Sequence, residues 1–219
     1  MNKISDGVFV ERGSFFTRNM VPGRRVYGED LVRSQGVEYR YWDHTRSKPA
    51  AALKNGLKNF PLHAGMKILY LGVASGTTAS HFSDVVGPEG MIYGVDISQR
   101  VLRQIIPIAE ERGNIAPILG DTRKPEEYSG LILEKVDLVF EDVASDDQIP
   151  ILIRNCDRFL RSGGHAMIAI KSQSIDVVKS PKQVYRECVA ELEKNFEILE
   201  KVELDPHEKH HLMVVMRKK

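Results

Sequence analysis

The sequence predicts an α/β fold: a mostly parallel, seven-stranded sheet with an antiparallel last strand, preceded by a small N-terminal antiparallel β unit. Three observations carry this. From Ser47 onward, apolar strand-like runs alternate with helix-compatible stretches, the order that covers a parallel sheet on both faces. Before Ser47, short β-type runs are cut at close intervals by glycines and by Pro22-Gly23, as tight antiparallel turns require. The last two strand-like runs face each other across Asp205-Pro206-His207, close enough to pair as a hairpin.

The β unit is assigned to 1–46, with Val8-Phe9-Val10 and Glu38–Trp42 as its clearest strands, broken by Gly7, Gly13, Gly28 and Gly36. The larger unit takes 47–219. Ser47 can cap its first helix, and Pro49 falls in the first turn, where a missing N–H costs little. Ala50-Ala51-Ala52-Leu53-Lys54 continues this helix, Gly56 weakens it and Pro61 is expected to end it. Lys67–Leu71 reads as the first strand of the large sheet, followed by a helix over Ala79–Val86. The turn Gly87-Pro88-Glu89-Gly90 announces a strand over Met91–Val95, then a helix over Ser98–Arg112 that Pro107 should bend. Strands are expected at Ala116–Leu119 and Val136–Phe140, and a helix over Gln148–Leu160. Ser162-Gly163-Gly164 leads into a strand at His165–Ile170, followed by a helix over Pro181–Lys194. The hairpin strands are Phe196–Leu204 and His211–Arg217.

The length, 219 residues, suits one good-sized domain with a small appendage, and 42% hydrophobic with 28% charged residues is ordinary for a soluble globular chain. No apolar stretch approaches the roughly 20 residues that span a bilayer. The start, Met1–Asp6, lacks an apolar signal core, so a cytoplasmic protein is expected. Cys156 and Cys188 lack metal-ligand spacing and read as buried free thiols, and no metal site is expected. The net charge of +1 argues against a wholly basic nucleic-acid binder. Residues 1–60 hold 11 Lys/Arg against 6 Asp/Glu and the rest 20 against 24, so +5 faces −4.

The run Lys67–Leu71 gives way to Gly72-Val73-Ala74-Ser75-Gly76-Thr77-Thr78, a strand-to-helix loop suited to an adenosine-type cofactor. Its glycines are expected to let the backbone approach the ligand. A nicotinamide fingerprint needs G-x-G-x-x-G, and this loop has only Gly72 and Gly76, spaced for S-adenosylmethionine instead. Asp96 ends the next strand, where a carboxylate accepts from ribose hydroxyls. Asp121 ends the third, where its carboxylate or the neighbouring backbone can read an adenine amine. Ordinary turn chemistry is the competing account of each aspartate alone.

Ligands of such sheets sit beyond the carboxyl ends of the strands. Asp142 and Lys171 follow two of those ends, His211 opens the antiparallel strand and Lys48 opens the helix before the first strand, so all four can meet at one rim. Methyl transfer to a hydroxyl needs an acceptor that is oriented and loses a proton. A lysine can take that proton or stabilise the alkoxide, with a carboxylate orienting it.

Five motifs carry a resemblance. Tyr70-Leu71-Gly72-x-Ala74-Ser75-Gly76-Thr77-Thr78-x-Ser80-His81 resembles the signature of fibrillarin, a family of guide-RNA-dependent RNA 2′-O-methyltransferases. Arg46-Ser47-Lys48-x-Ala50-Ala51 is similar to its lysine-bearing helix, and Val136–Gln148 to its acidic motif. Ile170-Lys171-x-x-Ser174-Ile175-Asp176 and Pro206-x-Glu208-x-x-His211-x-Met213-Val214-Val215 resemble its second lysine motif and its histidine motif. The resemblance implies a Rossmann-like S-adenosylmethionine-dependent methyltransferase fold with a catalytic tetrad of Lys48, Asp142, Lys171 and His211. Cofactor contacts would come from Gly72, Ala74, Gly76, Thr77, Thr78, Asp96, Ile97, Asp121, Thr122, Asp142, Val143, Ala144 and Ser145. Ser145 replaces the family's usual Gln, His207 its Tyr, His210 its Asp and Pro49 its Leu.

The compact form resembles archaeal members, which implies rRNA or tRNA modification. The implied partners are a Nop-type scaffold protein, a kink-turn-binding ribosomal-type protein, a C/D box guide RNA and the target rRNA or tRNA. Two other readings stand beside this: a non-catalytic, cofactor-binding assembly subunit, and a methyltransferase acting on protein glutamine.

Overall fold

In the computed structural model, which describes residues 1–219, two sheets share one core. The first comprises β1 (Asn2–Ser5), β2 (Val8–Glu11), β3 (Ser14–Arg18), β4 (Leu31–Ser34) and β5 (Val37–Tyr41). It is wholly antiparallel, in the order β1-β2-β3-β5-β4. α1 (Lys48–Lys54) leads to the second sheet, whose strands are β6 (Lys67–Leu71), β7 (Met91–Asp96), β8 (Ile115–Leu119), β9 (Val136–Glu141), β10 (Leu160–Lys171), β11 (Phe196–Glu203) and β12 (His211–Lys218). Their order is β11-β12-β10-β9-β6-β7-β8, and β12 runs antiparallel between β10 and β11. This is the Rossmann-like methyltransferase sheet expected, with its last strand reversed.

The remaining helices are α2 (Thr77–Val86), α3 (Gln99–Arg112), α4 (Pro125–Tyr128), α5 (Gln148–Phe159), α6 (Ser172–Ile175) and α7 (Pro181–Leu192). The short α4 and α6 carry too few residues to show a helical period, and sequence reasoning passed over both. α2 begins two residues earlier than expected. α3 is capped by Ser98, whose hydroxyl accepts from Val101 N–H. The β10 ladder already opens at Leu160 opposite Val136, and residues 161–164 form an irregularity before His165 meets Leu138.

Two expectations for α1 are corrected. Pro61 does not end it: the helix stops at Lys54, and Gly56, at φ 96, takes a left-handed conformation that only glycine adopts freely. Ser47 stands at the N-cap position, but its side chain makes no capping bond. Its hydroxyl accepts instead from the indole N–H of Trp42 at 2.9 Å and meets the Thr78 hydroxyl at 2.9 Å.

One apolar layer joins Val8 and Trp42 of the N-terminal part to α1, α2, Phe60, Phe140 and Met213. Trp42 is fully buried, stacked on the His81 ring at 5.1 Å and edge-on to Phe60 and Phe82. The opposite layer packs Leu69, Val139, Ile168 and Val214 against α5 and α7, where Cys156 and Cys188 are buried. No helix is long and apolar enough to cross a membrane.

A buried polar cluster fastens the N-terminal sheet to α2. Arg40 donates to Glu29 Oε1 at 2.6 Å, to Asp84 Oδ2 at 2.8 Å and to Ser80 Oγ at 2.9 Å. Arg112 pairs with the other Asp84 oxygen. The Thr17 hydroxyl gives its proton to Asp84 at 2.7 Å, so it accepts from Nδ1–H of His81. Burial, with Arg40 and Arg112 adding to it, holds His81 well below the usual imidazole range, hence neutral.

Candidate functional site

The carboxyl ends of β6–β10 and the first residue of β12 share one rim of the large sheet, because Lys171 and His211 are direct partners across the antiparallel β10–β12 ladder. A cavity of about 240 Å³ opens there. It is lined by Gly72, Ala74, Asp96, Ile97, Asp121, Thr122, Asp142, Val143, Ala144 and Ser145, all expected from the sequence, and by Arg123 and Ile151, which were not. Gly76, Thr77 and Thr78 lie outside the lining, at the start of α2.

The two loop glycines have reasons other than ligand approach. A Cβ on Gly72 would lie 2.7 Å from the Asp142 carbonyl oxygen, so glycine lets the β6 and β9 loops close on each other. A Cβ on Gly76 would lie 2.8 Å from Ile105 Cγ1, so that glycine serves packing against α3. Ala74 sits at φ 52 and donates its N–H to Asp96 Oδ2 at 3.1 Å, while Asp96 Oδ1 accepts from Ser98 N–H at 2.9 Å. Asp96 therefore both orders the loop and faces the cavity. Asp121 likewise accepts from Arg123 N–H at 3.0 Å in a turn and still lines the cavity.

The cavity wall carries Asp96, Asp121 and Asp142 against one arginine. Arg123 is itself engaged, donating to Ser145 Oγ at 2.8 Å and to Asp147 Oδ2 at 3.2 Å. A net acidic wall disfavours a pyrophosphate and suits a cationic sulfonium. Two carboxylates at successive strand ends suit ribose hydroxyls and an adenine amine. The residues thus fit S-adenosylmethionine.

At the mouth, Lys48 Nζ bridges both oxygens of Asp142, at 2.8 and 3.0 Å. Burial pushes the Asp142 carboxyl up, and the Lys48 ammonium pulls it back. His211 is 7% exposed, and burial holds it below the usual imidazole range, with Lys48 adding to the effect and Asp142 opposing it. Its Nδ1 lies 2.8 Å from the Lys209 carbonyl, which can only accept, so Nδ1 carries the proton and Nε2 keeps a free lone pair. The Lys171 ammonium makes no ion pair or hydrogen bond. The structure therefore joins Lys48 directly to Asp142, sets Lys171 beside His211 and brings His211 within reach of the first pair's charges.

Sequence reasoning also missed the side chain of Gln148. It donates to the Val143 and Ala169 carbonyls and accepts from Lys171 N–H at 3.0 Å, tying the acidic loop to the lysine strand. Its place within the acidic motif was the available signal. Glu141, next to Asp142, is fully buried and neither of its oxygens has a hydrogen-bond partner. Burial drives its carboxyl well above the usual range, so it is neutral.

The family model described as Fibrillarin matches residues 1–219. A protein of Pyrococcus horikoshii named fibrillarin-like rRNA/tRNA 2′-O-methyltransferase is 57% identical over 202 residues, covering 92% of this chain and 88% of that one. Aeropyrum pernix fibrillarin, solved with natively bound S-adenosyl-L-methionine, superposes with a TM-score of 0.86 at 48% identity, covering 93% of this chain and 88% of its own. A chain from a fibrillarin/Nop5p complex superposes at 0.90 with 36% identity over 98% of both chains.

Proposed function

The chain belongs to the fibrillarin family, and we propose that it methylates ribose 2′-hydroxyls of rRNA and tRNA from S-adenosylmethionine, as the catalytic subunit of a guide-RNA-directed C/D box ribonucleoprotein. The observation that carries this reading is that Asp142, which lines an acidic cavity, is paired with Lys48 at the same sheet rim where Lys171 and His211 are ladder partners.

When bound, the cofactor supplies a methyl group on a cationic sulfur, open to in-line attack. Asp96 and Asp121 would hold its ribose and adenine, and residues 142–145 would supply the facing wall. Lys171, free of any acidic partner, faces the acceptor oxygen and stabilises the charge that develops there. The proton of the 2′-hydroxyl goes to Nε2 of His211, the uncommitted lone pair in the group; both Asp142 oxygens are held by Lys48. Lys48 and Asp142 keep each other in place and set the local field.

A Nop-type scaffold seats the chain, in keeping with its likeness to a chain from a fibrillarin/Nop5p complex. A kink-turn-binding protein and a C/D box guide complete the particle and choose the nucleotide. The near-neutral net charge of +1 agrees with target choice lying outside this chain. Its place is the cytoplasm, where Cys156 and Cys188 stay reduced, which fractionation checks.

The test is a reconstituted methylation assay with labelled cofactor, partners and guide. One guided ribose should become labelled, in nuclease-sensitive form, and none without the guide. Protease-sensitive label would support glutamine as the acceptor. Cofactor binding without any transfer would support an assembly subunit.

A further inference from the structure

The Ser47 hydroxyl is free of the capping role its position suggests. It lies 2.9 Å from both the Trp42 indole nitrogen and the Thr78 hydroxyl, and all three residues are buried at 0%, 2% and 7% exposure for Trp42, Ser47 and Thr78. An indole N–H can only donate, so Ser47 Oγ accepts there and turns its remaining capacity to Thr78. Thr78 stands in the first turn of α2, directly after the cofactor loop. Ser47 is joined by one peptide bond to Lys48, whose ammonium holds Asp142 at 2.8 Å. Thr78, Ser47, Lys48 and Asp142 thus form one chain of contacts, running from the first turn of α2 to a carboxylate that lines the cavity.

We propose that Ser47 is a positioning residue whose hydroxyl couples filling of the cofactor loop to the seating of Lys48 on Asp142, which rests on the reading of cofactor loop and tetrad given above. A loop settled around its ligand fixes Thr78, Thr78 fixes the first turn of α1 through Ser47, and the Lys48 ammonium then meets Asp142 in one geometry. Without the hydroxyl, Trp42 Nε1 and Thr78 Oγ1 lose their shared partner and the first turns of α1 and α2 move independently.

The test is a double-mutant cycle on the full chain, read by calorimetric titration with S-adenosylmethionine, so that it does not depend on methylation. Ser47→Ala should weaken cofactor binding about tenfold, as loss of a buried hydrogen bond does, while Ser47→Thr stays within about threefold. Ser47→Ala and Lys48→Ala together should weaken it by clearly less than the product of the single effects, as coupled neighbours do. In single-turnover guided methylation at saturating cofactor, Ser47→Ala should run about tenfold slower, with Ser47→Thr restoring most of the rate. Thermal melting of both variants, and of Trp42→Phe, confirms that the chains are folded. Multiplicative effects in the binding cycle, or a wild-type rate in Ser47→Ala, would overturn the proposal. A non-additive cycle in a complex that transfers no methyl group would leave the coupling standing and overturn the methyltransferase reading instead.

Discussion

Lys171 is held by its backbone alone: its N–H meets Gln148 and its Cα faces His211, while the ammonium is unpaired. A charge so placed interacts weakly with the resting protein and strongly with an oxygen that becomes negative. Lys171→Ala should therefore lower the single-turnover guided rate about 10²–10³-fold and leave cofactor affinity within about threefold, measured by titration. In the proposed mechanism His211 sets the pH at which the reaction fails. Burial and Lys48 lower its pKa from 6.5, so Nε2 stays unprotonated as the medium turns acidic. The acid limb of the pH–rate profile should accordingly lie below 6.5, and it should vanish, with most of the rate, in His211→Ala. Gly72 combines φ 79 with a would-be Cβ 2.7 Å from the Asp142 carbonyl. Gly72→Ala should destabilise the fold by about 1–3 kcal/mol in urea unfolding and weaken cofactor binding, because both loops must part. At this scale the placement of Asp96, Asp121 and Asp142 on one cavity was legible, since it follows from strand-end position. Arg123 and Gln148 were not, because their partners at 143, 145, 147, 169 and 171 become neighbours only through the folded chain.

Strands and long helices were readable because apolar periodicity governs them. α1 shows where that reading stops. Its serine and proline announce a helix start, yet the Ser47 hydroxyl turns inward to Trp42 and Thr78. Tertiary partners, 5 and 31 residues away, won over the local cap. β9 shows the converse, a polar residue buried without local reward. Glu141 is neutral in the folded chain because burial raises its pKa, while the unfolded chain ionises it above its ordinary value of 4.5. The folded state then binds the additional proton, so this residue's contribution to stability is whole below 4.5 and is lost as pH rises towards the elevated native value. Glu141→Gln keeps the shape without the ionisation. It should raise the melting temperature at neutral pH and remove a decline of up to about 1.4 kcal/mol per pH unit, followed by thermal melts across pH.

At the scale of the molecule, the N-terminal sheet is bound to the catalytic sheet by charge as well as by apolar packing. Arg40 lies fully buried between Glu29 and Asp84, and α2, which carries Asp84, begins at the cofactor loop. Arg40→Ala would leave buried Glu29 without its cation and take from Asp84 one of its two arginines. It should cost about 3–5 kcal/mol in urea unfolding and weaken cofactor binding alongside, a loss that a free-standing appendage would not produce. The antiparallel N-terminal sheet was readable from the glycine-cut strands, whereas this coupling was hidden, because the sequence separates Arg40 from Asp84 by 44 positions. The place of β12 in the sheet has a consequence for the order of assembly. It lies between β10 and β11 although it follows both in the chain. On a ribosome, therefore, β10 and β11 emerge with open edges and no means of pairing through their native partner. The rim that needs His211 beside Lys171 cannot form until that later segment is made. During that interval the nascent chain presents two unprotected strand edges, the surfaces on which a holding chaperone would act.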